Sequence, residues 1–212
     1  IGRVHSTSNQ ETESLIALGF EPASISQSGN RLPSFYLQTF HHSFESRRND
    51  DVKRVIWLGR IDRKKRIELL ISAFCKVAKD QRFQNLELAI VGDGDPDYKK
   101  DLENLASTHG CQDTIRFLGF LEGQPKISEL CNSNLLVLCS QSENYGMVVL
   151  EGLLAGIPVC VTDNLPWGEV KNAIYITSED HLDKSLAYWL NLESGNPRLI
   201  RQIGIEINEK VV

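Results

Sequence analysis

From residue 53 onward, short apolar runs alternate with segments whose apolar residues recur every three or four positions. Val55-Ile-Trp-Leu58, Leu86 to Val91, Ile115-Arg-Phe-Leu118, Leu135-Leu-Val-Leu-Cys139, Pro158 to Val161 and Ala173 to Ile176 predict strands. The run ending at Cys139 is continuous rather than alternating, the pattern of a strand buried on both faces. Between the runs, Ile67, Leu70, Ile71, Phe74 and Val77 mark one face of a helix, as do Tyr98, Leu102, Leu105 and Ala106 in a second. Ile127, Leu130 and Cys131 mark a third, and Val148 to Ala155 a fourth. Leu182, Leu186, Trp189 and Leu190 form the buried face of a helix over 181–192, and Arg201 to Val212 reads as a helix cut short. Alternation of strand and helix predicts a parallel sheet covered on both sides, a Rossmann-like, doubly wound α/β domain.

The first fifty residues are less regular. Ile1 to Ser6 predicts a strand, and Asn9 to Leu18 a helix entered at Ser8 and stopped by Gly19. Ser24 to Gln27 reads as extended, Ser28-Gly29-Asn30 as a turn, and Pro33 to Asp51 as a polar linker. A domain boundary near residue 50 follows, dividing 1–50 from 51–212.

Composition narrows the function classes. The chain of 212 residues is 41% hydrophobic and 24% charged, ordinary for a soluble globular protein. A net charge of −5 argues against a nucleic-acid partner, which calls for a basic excess. No apolar run approaches the ~18 residues of a membrane span, and the first ten residues lack a signal-peptide pattern. The five cysteines are widely spaced and mostly sit in apolar runs. They are expected to be reduced, buried thiols in a reducing, cytoplasmic compartment. With no C-x-x-C pair and no histidines at ligand spacing, no metal site is expected. Ile1 is not a start methionine, so the chain is expected to be a piece of a larger protein.

Three stretches carry candidate chemistry. Gly59-Arg-Ile-Asp-Arg-Lys-Lys-Arg66 joins a strand to a helix, and five of its eight residues are basic. Cations at a helix amino end are unfavourable by ~0.3–1 kcal/mol each. A bound anion would remove that penalty, Arg60 and Lys65 adding charge to the N–H groups there; a solvated basic turn is the alternative. Val91-Gly92-Asp93-Gly94-Asp95 ends the next strand. Its glycines serve either ligand approach or turn conformation, and it is not the G-x-G-x-x-G dinucleotide fingerprint. Ser140-Gln-Ser-Glu143-Asn144-Tyr145-Gly146-Met147-Val-Val-Leu-Glu151 runs from strand end to helix. Eight positions apart, Glu143 and Glu151 cannot be neighbours on one helix face, so they would touch different parts of an extended ligand. A carboxylate accepts well from paired sugar hydroxyls; a cap at Glu143 and a solvated helix residue at Glu151 are the alternative.

Together these residues resemble the retaining nucleotide-sugar glycosyltransferases of family 4, also called group 1, which have the two-domain GT-B fold. The resemblance rests on Gly59-Arg60 with Lys65, Val91-Gly-Asp-Gly94, Phe117-Leu-Gly119 and Ser142-Glu143 through Glu151, which fits the family's E-x7-E motif. Ala155-Gly-Ile-Pro-Val159 and Pro166-Trp-Gly-Glu169 continue it, in order and spacing, over roughly 53–205. It implies one half of a GT-B fold, with 1–50 the end of a first domain plus interdomain linker. Residues 51–212 would then be a nucleotide-sugar donor-binding domain, truncated at its C-terminus.

The family's roles carry over as expectations. Arg60 and Lys65 would hold the donor's diphosphate, Glu151 the ribose hydroxyls, and Glu143 would lie beside the donor sugar as the catalytic residue. Backbone amides around Asn144, Tyr145, Gly146 and Met147 would meet sugar and phosphates, beside Gly59 and Gly92-Asp93-Gly94. No cofactor or metal is implied, because cationic side chains and a helix terminus neutralise the leaving diphosphate. The acceptor, a sugar or lipid-linked glycan, would bind the missing domain, with peripheral membrane association of the full-length protein. Arg66 stands where the family usually has glycine, and Asn144-Tyr145 replaces Gly-Phe, implying a changed phosphate approach and sugar preference. Donor binding rather than efficient transfer is therefore expected of this chain. An epimerase or polymerase on the same fold, and a non-catalytic binding module, remain alternatives.

Overall fold

The structure, a computed structural model, describes residues 3–28, 30–48, 51–143, 145–163, 165–168, 170, 173–191 and 196–210. Its opening part comprises β1 (Val4–Ser6), α1 (Asn9–Ala17) and β2 (Ile25–Gln27), with the two strands parallel. Ser8 accepts from the Glu11 N–H at 3.2 Å, and the Glu11 carboxylate accepts from the Thr7 N–H at 2.7 Å. This reciprocal capping starts α1 where the sequence predicts. Of the expected turn at Ser28-Gly29-Asn30, Gly29 lies outside the described residues.

Residues 33–51 depart from expectation. Instead of a polar linker throughout, Ser34–Glu45 form a helix, α2, which buries Phe40 and Phe44 in the main core. These residues stand four apart and so share a helical face. The weakly helix-favouring Ser, Thr, His and Phe around them hide the pattern.

The remaining elements follow the predicted order: β3 (Lys53–Leu58), α3 (Ile67–Ala78), β4 (Leu86–Val91), α4 (Pro96–Thr108), β5 (Ile115–Gly119), α5 (Gly123–Cys131), β6 (Leu135–Leu138), α6 (Met147–Leu154), β7 (Val159–Thr162), β8 (Ile174–Thr177), α7 (Leu182–Asn191) and α8 (Pro197–Lys210). Strands β3 to β8 form one parallel sheet in the order β5-β4-β3-β6-β7-β8. The chain steps outward from β3 to β5, returns to place β6 beside β3, and then steps the other way. Every residue of β6 and β7 is buried, which explains the apolar runs at 135–138 and 159–161. Ile67, Leu70, Ile71, Phe74 and Val77 are all buried on α3, each side chain contributing roughly 1.5–3 kcal/mol. Asn208 on α8 holds the Leu32 backbone, accepting from its N–H at 2.7 Å.

The cysteines require a second correction. Cys75 on α3 and Cys111, just beyond α4, are joined in a disulfide, with Cα atoms 5.9 Å apart. Packing of α3 against α4 brings together residues 36 apart in sequence. Cys131, Cys139 and Cys160 are the buried free thiols expected, and burial pushes each up to about 12.

Candidate functional site

β3 and β6 are neighbours where the strand order reverses, so their outgoing loops flank the crevice at which open α/β sheets take ligands. Beyond Leu58 the pairing of β3 with β4 continues into both loops. Gly59 N–H donates to Val91 O at 3.0 Å, Ile61 N–H to Asp93 O at 2.9 Å, and Asp95 N–H to Ile61 O at 2.9 Å. A Cβ on Gly92 would lie 1.7 Å from Gly59 O, and one on Gly94 would lie 2.1 Å from Ile61 O. Both glycines are therefore required for two backbones to touch. Asp93, between them, is exposed.

In the basic turn, Asp62 caps a short helical turn at Arg63–Lys65 by accepting from the Lys64 N–H at 2.9 Å. Arg66 then adopts φ 52° and ψ 42° as α3 begins. That left-handed backbone costs a non-glycine residue roughly 1–2 kcal/mol, so the arginine keeps a glycine-like path. Much of the charge is met by protein groups. Arg63 pairs with Asp101 at 2.8 Å, Arg66 with Glu179, and Lys65 with Glu143 at 2.6 Å. The Ile67 N–H donates to the Tyr98 hydroxyl at 3.0 Å, so the amino end of α3 is already partly satisfied. Arg60 is 76% exposed, its nearest carboxylate being Asp62 at 3.7 Å.

The loop leaving β6 is tied to that turn at several points. Gln141 N–H donates to Lys64 O at 2.7 Å, and Cys139 Sγ lies 3.1 Å from Arg66 O. Glu143 Oε1 accepts from both Lys65 Nζ and Ser140 Oγ, at 2.6 and 2.7 Å. Asn144 lies outside the described residues, as does Glu169. Gly146, with φ 71°, begins α6 without a side-chain cap, and the first N–H groups of a helix have no acceptor within it. The turn is pinned from behind by Trp167, whose indole N–H donates to Tyr145 O at 2.5 Å, the two rings meeting edge to face.

A cleft of about 600 Å³ opens beside these loops. Gly59, Arg60, Gly92, Asp93 and Glu151 line it, together with Tyr36, Phe120, Lys126 and Val148. Lys65, Glu143, Tyr145, Gly146 and Met147 are not among its walls and gather instead around the β6 exit. The sequence reading missed Lys126, whose Nζ lies 2.6 Å from Glu151 Oε1 with both side chains largely buried. Lys126 directly precedes Ile127, on a helix whose Ile127, Leu130 and Cys131 are buried. A lysine bordering an apolar stripe near a helix start was the available signal. Among the described residues, no group of three or more His, Cys, Asp or Glu could hold a metal ion. None of their helices is long and apolar enough to cross a membrane.

A second groove, of about 670 Å³, lies at the amino ends of the strands, lined by residues such as Lys53, Arg54 and Asn134. It contains none of the candidate residues and sits on the edge opposite the ligand-binding edge of such sheets.

The chain is similar to several known glycosyltransferases. A glycosyltransferase of Methanocaldococcus jannaschii, MJ1607, is 36% identical over 114 residues, covering 53% of this chain and 28% of the relative. The phosphatidyl-myo-inositol mannosyltransferase of Mycobacterium tuberculosis is 33% identical over 115 residues, covering 52% and 28%. The match thus spans less than a third of these relatives. Anabaena HepE, solved with UDP and glucose, superposes with a TM-score of 0.80 at 16% identity over 99% of this chain and 59% of its own. WaaG, a lipopolysaccharide glycosyltransferase, does so with 0.73 at 16%, over 97% and 57%. The architecture is that of about half of a GT-B glycosyltransferase. With the model of the family "Glycosyl transferases group 1" matching residues 38–201, the chain belongs to the group 1 glycosyltransferases.

Proposed function

We propose that this chain is the carboxyl-terminal, donor-binding half of a retaining, family 4 glycosyltransferase that uses a UDP- or GDP-sugar. The observation carrying the proposal is the convergence, at the β3–β6 crossover, of Arg60 and Glu151 on one cleft and of Lys65 and Glu143 on the loops beside it. Glu151 grips the ribose hydroxyls and Arg60 and Lys65 the diphosphate. Glu143 lies against the donor sugar, completing the E-x7-E pattern, and the uncapped start of α6 at Gly146 and Met147 offers N–H groups to the phosphates. In the transfer, the bond from the anomeric carbon to the diphosphate oxygen breaks and the electron pair leaves with the nucleotide. The acceptor oxygen then bonds to that carbon on the same face and passes its proton to the departing diphosphate oxygen. Cationic side chains and the helix terminus stabilise the leaving charge without a metal.

The full-length protein would build a surface polysaccharide, lipopolysaccharide or other glycoconjugate. Its acceptor sugar or lipid-linked glycan sits against a further domain, at the cytoplasmic face of a membrane. Relatives named as a phosphatidyl-myo-inositol mannosyltransferase and an alpha-monoglucosyldiacylglycerol synthase support that class. The test is calorimetric titration of the chain with UDP, GDP and their sugars, beside Arg60→Ala and Glu151→Ala. Binding by the unaltered chain that either substitution weakens is expected; equal, negligible binding by all three proteins would overturn the proposal.

A further inference from the structure

Glu151 is only 6% exposed, on the cleft-facing side of α6. A carboxylate in that setting has two oxygens and about four acceptor sites to satisfy. Lys126 on α5 takes one oxygen, Oε1, at 2.6 Å. Among the described residues nothing donates to Oε2. Lys126 is itself held on a third side, its Nζ 5.5 Å from the centroid of the Tyr36 ring on α2. Three helices thus fix one ammonium, and the ammonium fixes one carboxylate oxygen.

An unrestrained carboxylate rotates and presents either oxygen, and must lose that freedom on gripping a ligand. One already anchored on Oε1 has its second oxygen committed in advance, the kind of preorganisation that raises affinity without a new contact. We propose that Lys126 is a specificity-determining positioning residue. By anchoring Glu151 it aims Oε2 at the ribose diol, so that the cleft selects ribonucleoside over 2′-deoxyribonucleoside diphosphates. The inference rests on the proposed donor site. A bond that served only to join α5 to α6 would matter for stability alone, and the preference between sugars would survive its removal.

The test measures that preference. The 212-residue chain and its Lys126→Met and Lys126→Arg variants are titrated with UDP, 2′-deoxy-UDP, GDP and 2′-deoxy-GDP. A charged hydrogen bond to the missing hydroxyl predicts a ribose preference of roughly tenfold or more in the unaltered chain. Lys126→Met should lower it to within about threefold, through weaker binding of the ribonucleotide, and Lys126→Arg should restore most of it. If Lys126→Met does not keep its native circular dichroism, the ratio is read on Lys126→Gln, where loss supports the inference and retention overturns it. Nucleotide binding with an unchanged ratio in the variant, or with no ribose preference in the unaltered chain, overturns the inference and leaves the donor site standing. Absence of any nucleotide binding overturns both.

Discussion

Two lysine–glutamate pairs among the described residues have the same chemistry and the same 2.6 Å separation, but they join different kinds of structure. Lys65–Glu143 bridges two loops, those leaving β3 and β6, with side chains 23% and 18% exposed. Lys126–Glu151 bridges two helices, α5 and α6, with side chains 15% and 8% exposed. An ion pair near solvent contributes little and is easily traded for another partner. A buried one costs much to break, because the survivor keeps its desolvation penalty. On the proposed reading, the loop pair is thus suited to opening when a diphosphate competes for Lys65. The helix pair is suited to holding Glu151 still.

Breaking the helix pair should produce the largest effect. Glu151→Leu leaves Lys126 unpartnered and is expected to cost about 3–5 kcal/mol of unfolding free energy in urea, with Lys126→Met close behind. The double variant should regain most of that loss, since neither charge then remains buried alone. Additive losses in the double variant would show that the two side chains are not coupled, and the contrast with the loop pair would collapse. Lys65→Ala should behave the other way round. Stability should fall by about 1 kcal/mol or less, while affinity for UDP or GDP should fall by about 10- to 100-fold with the loss of a charged phosphate contact. A stability loss matching that of the Lys126 variants would erase the distinction.

The same contrast governs how much could be read from the sequence. Lys65 and Glu143 lie in loops, where a dense run of cations and a polar turn after an apolar strand stand out from their surroundings. The sheet and its helices were legible for a similar reason: burial on both faces leaves unbroken apolar runs at 135–138 and 159–161. Lys126 looked like an ordinary helix residue, because its partner is 25 positions away and only the packing of α5 beside α6 brings them together. Long-range packing also hid the Cys75–Cys111 bond and the part that Tyr36, on the unforeseen α2, plays in the cleft. Gly92 and Gly94 were visible as residues. That their missing side chains admit the backbone at Gly59 and Ile61 follows only from the extended β3–β4 pairing.

Arg60 sharpens the comparison from the side of a cation with little to hold in the unliganded protein. At 76% exposure and 3.7 Å from Asp62, Arg60→Ala should change stability by no more than about 0.5 kcal/mol. Its loss should still weaken nucleoside diphosphate binding roughly tenfold, about 1.4 kcal/mol. An unchanged affinity would remove Arg60 from the proposed diphosphate site and leave Lys65 as its principal cation.

The smallest effect concerns how readily each region opens without ligand. Cys139 lies beneath the loop pair, with Sγ 3.1 Å from Arg66 O, while Cys131 ends the helix that carries Lys126. Burial pushes both thiols up to about 12, so at pH 8 neither supplies much reactive thiolate until its surroundings open. If the loop pair is weaker by about 1 kcal/mol, Cys139 should be alkylated about fivefold faster than Cys131, as mass spectrometry of timed samples would show. Full denaturation without reductant should expose three thiols and reduction all five, given the Cys75–Cys111 bond. Equal rates at Cys131 and Cys139 would mean that loops and helices open only as one cooperative unit. The two ion pairs would then differ in chemistry toward the ligand but not in the mobility of what they hold.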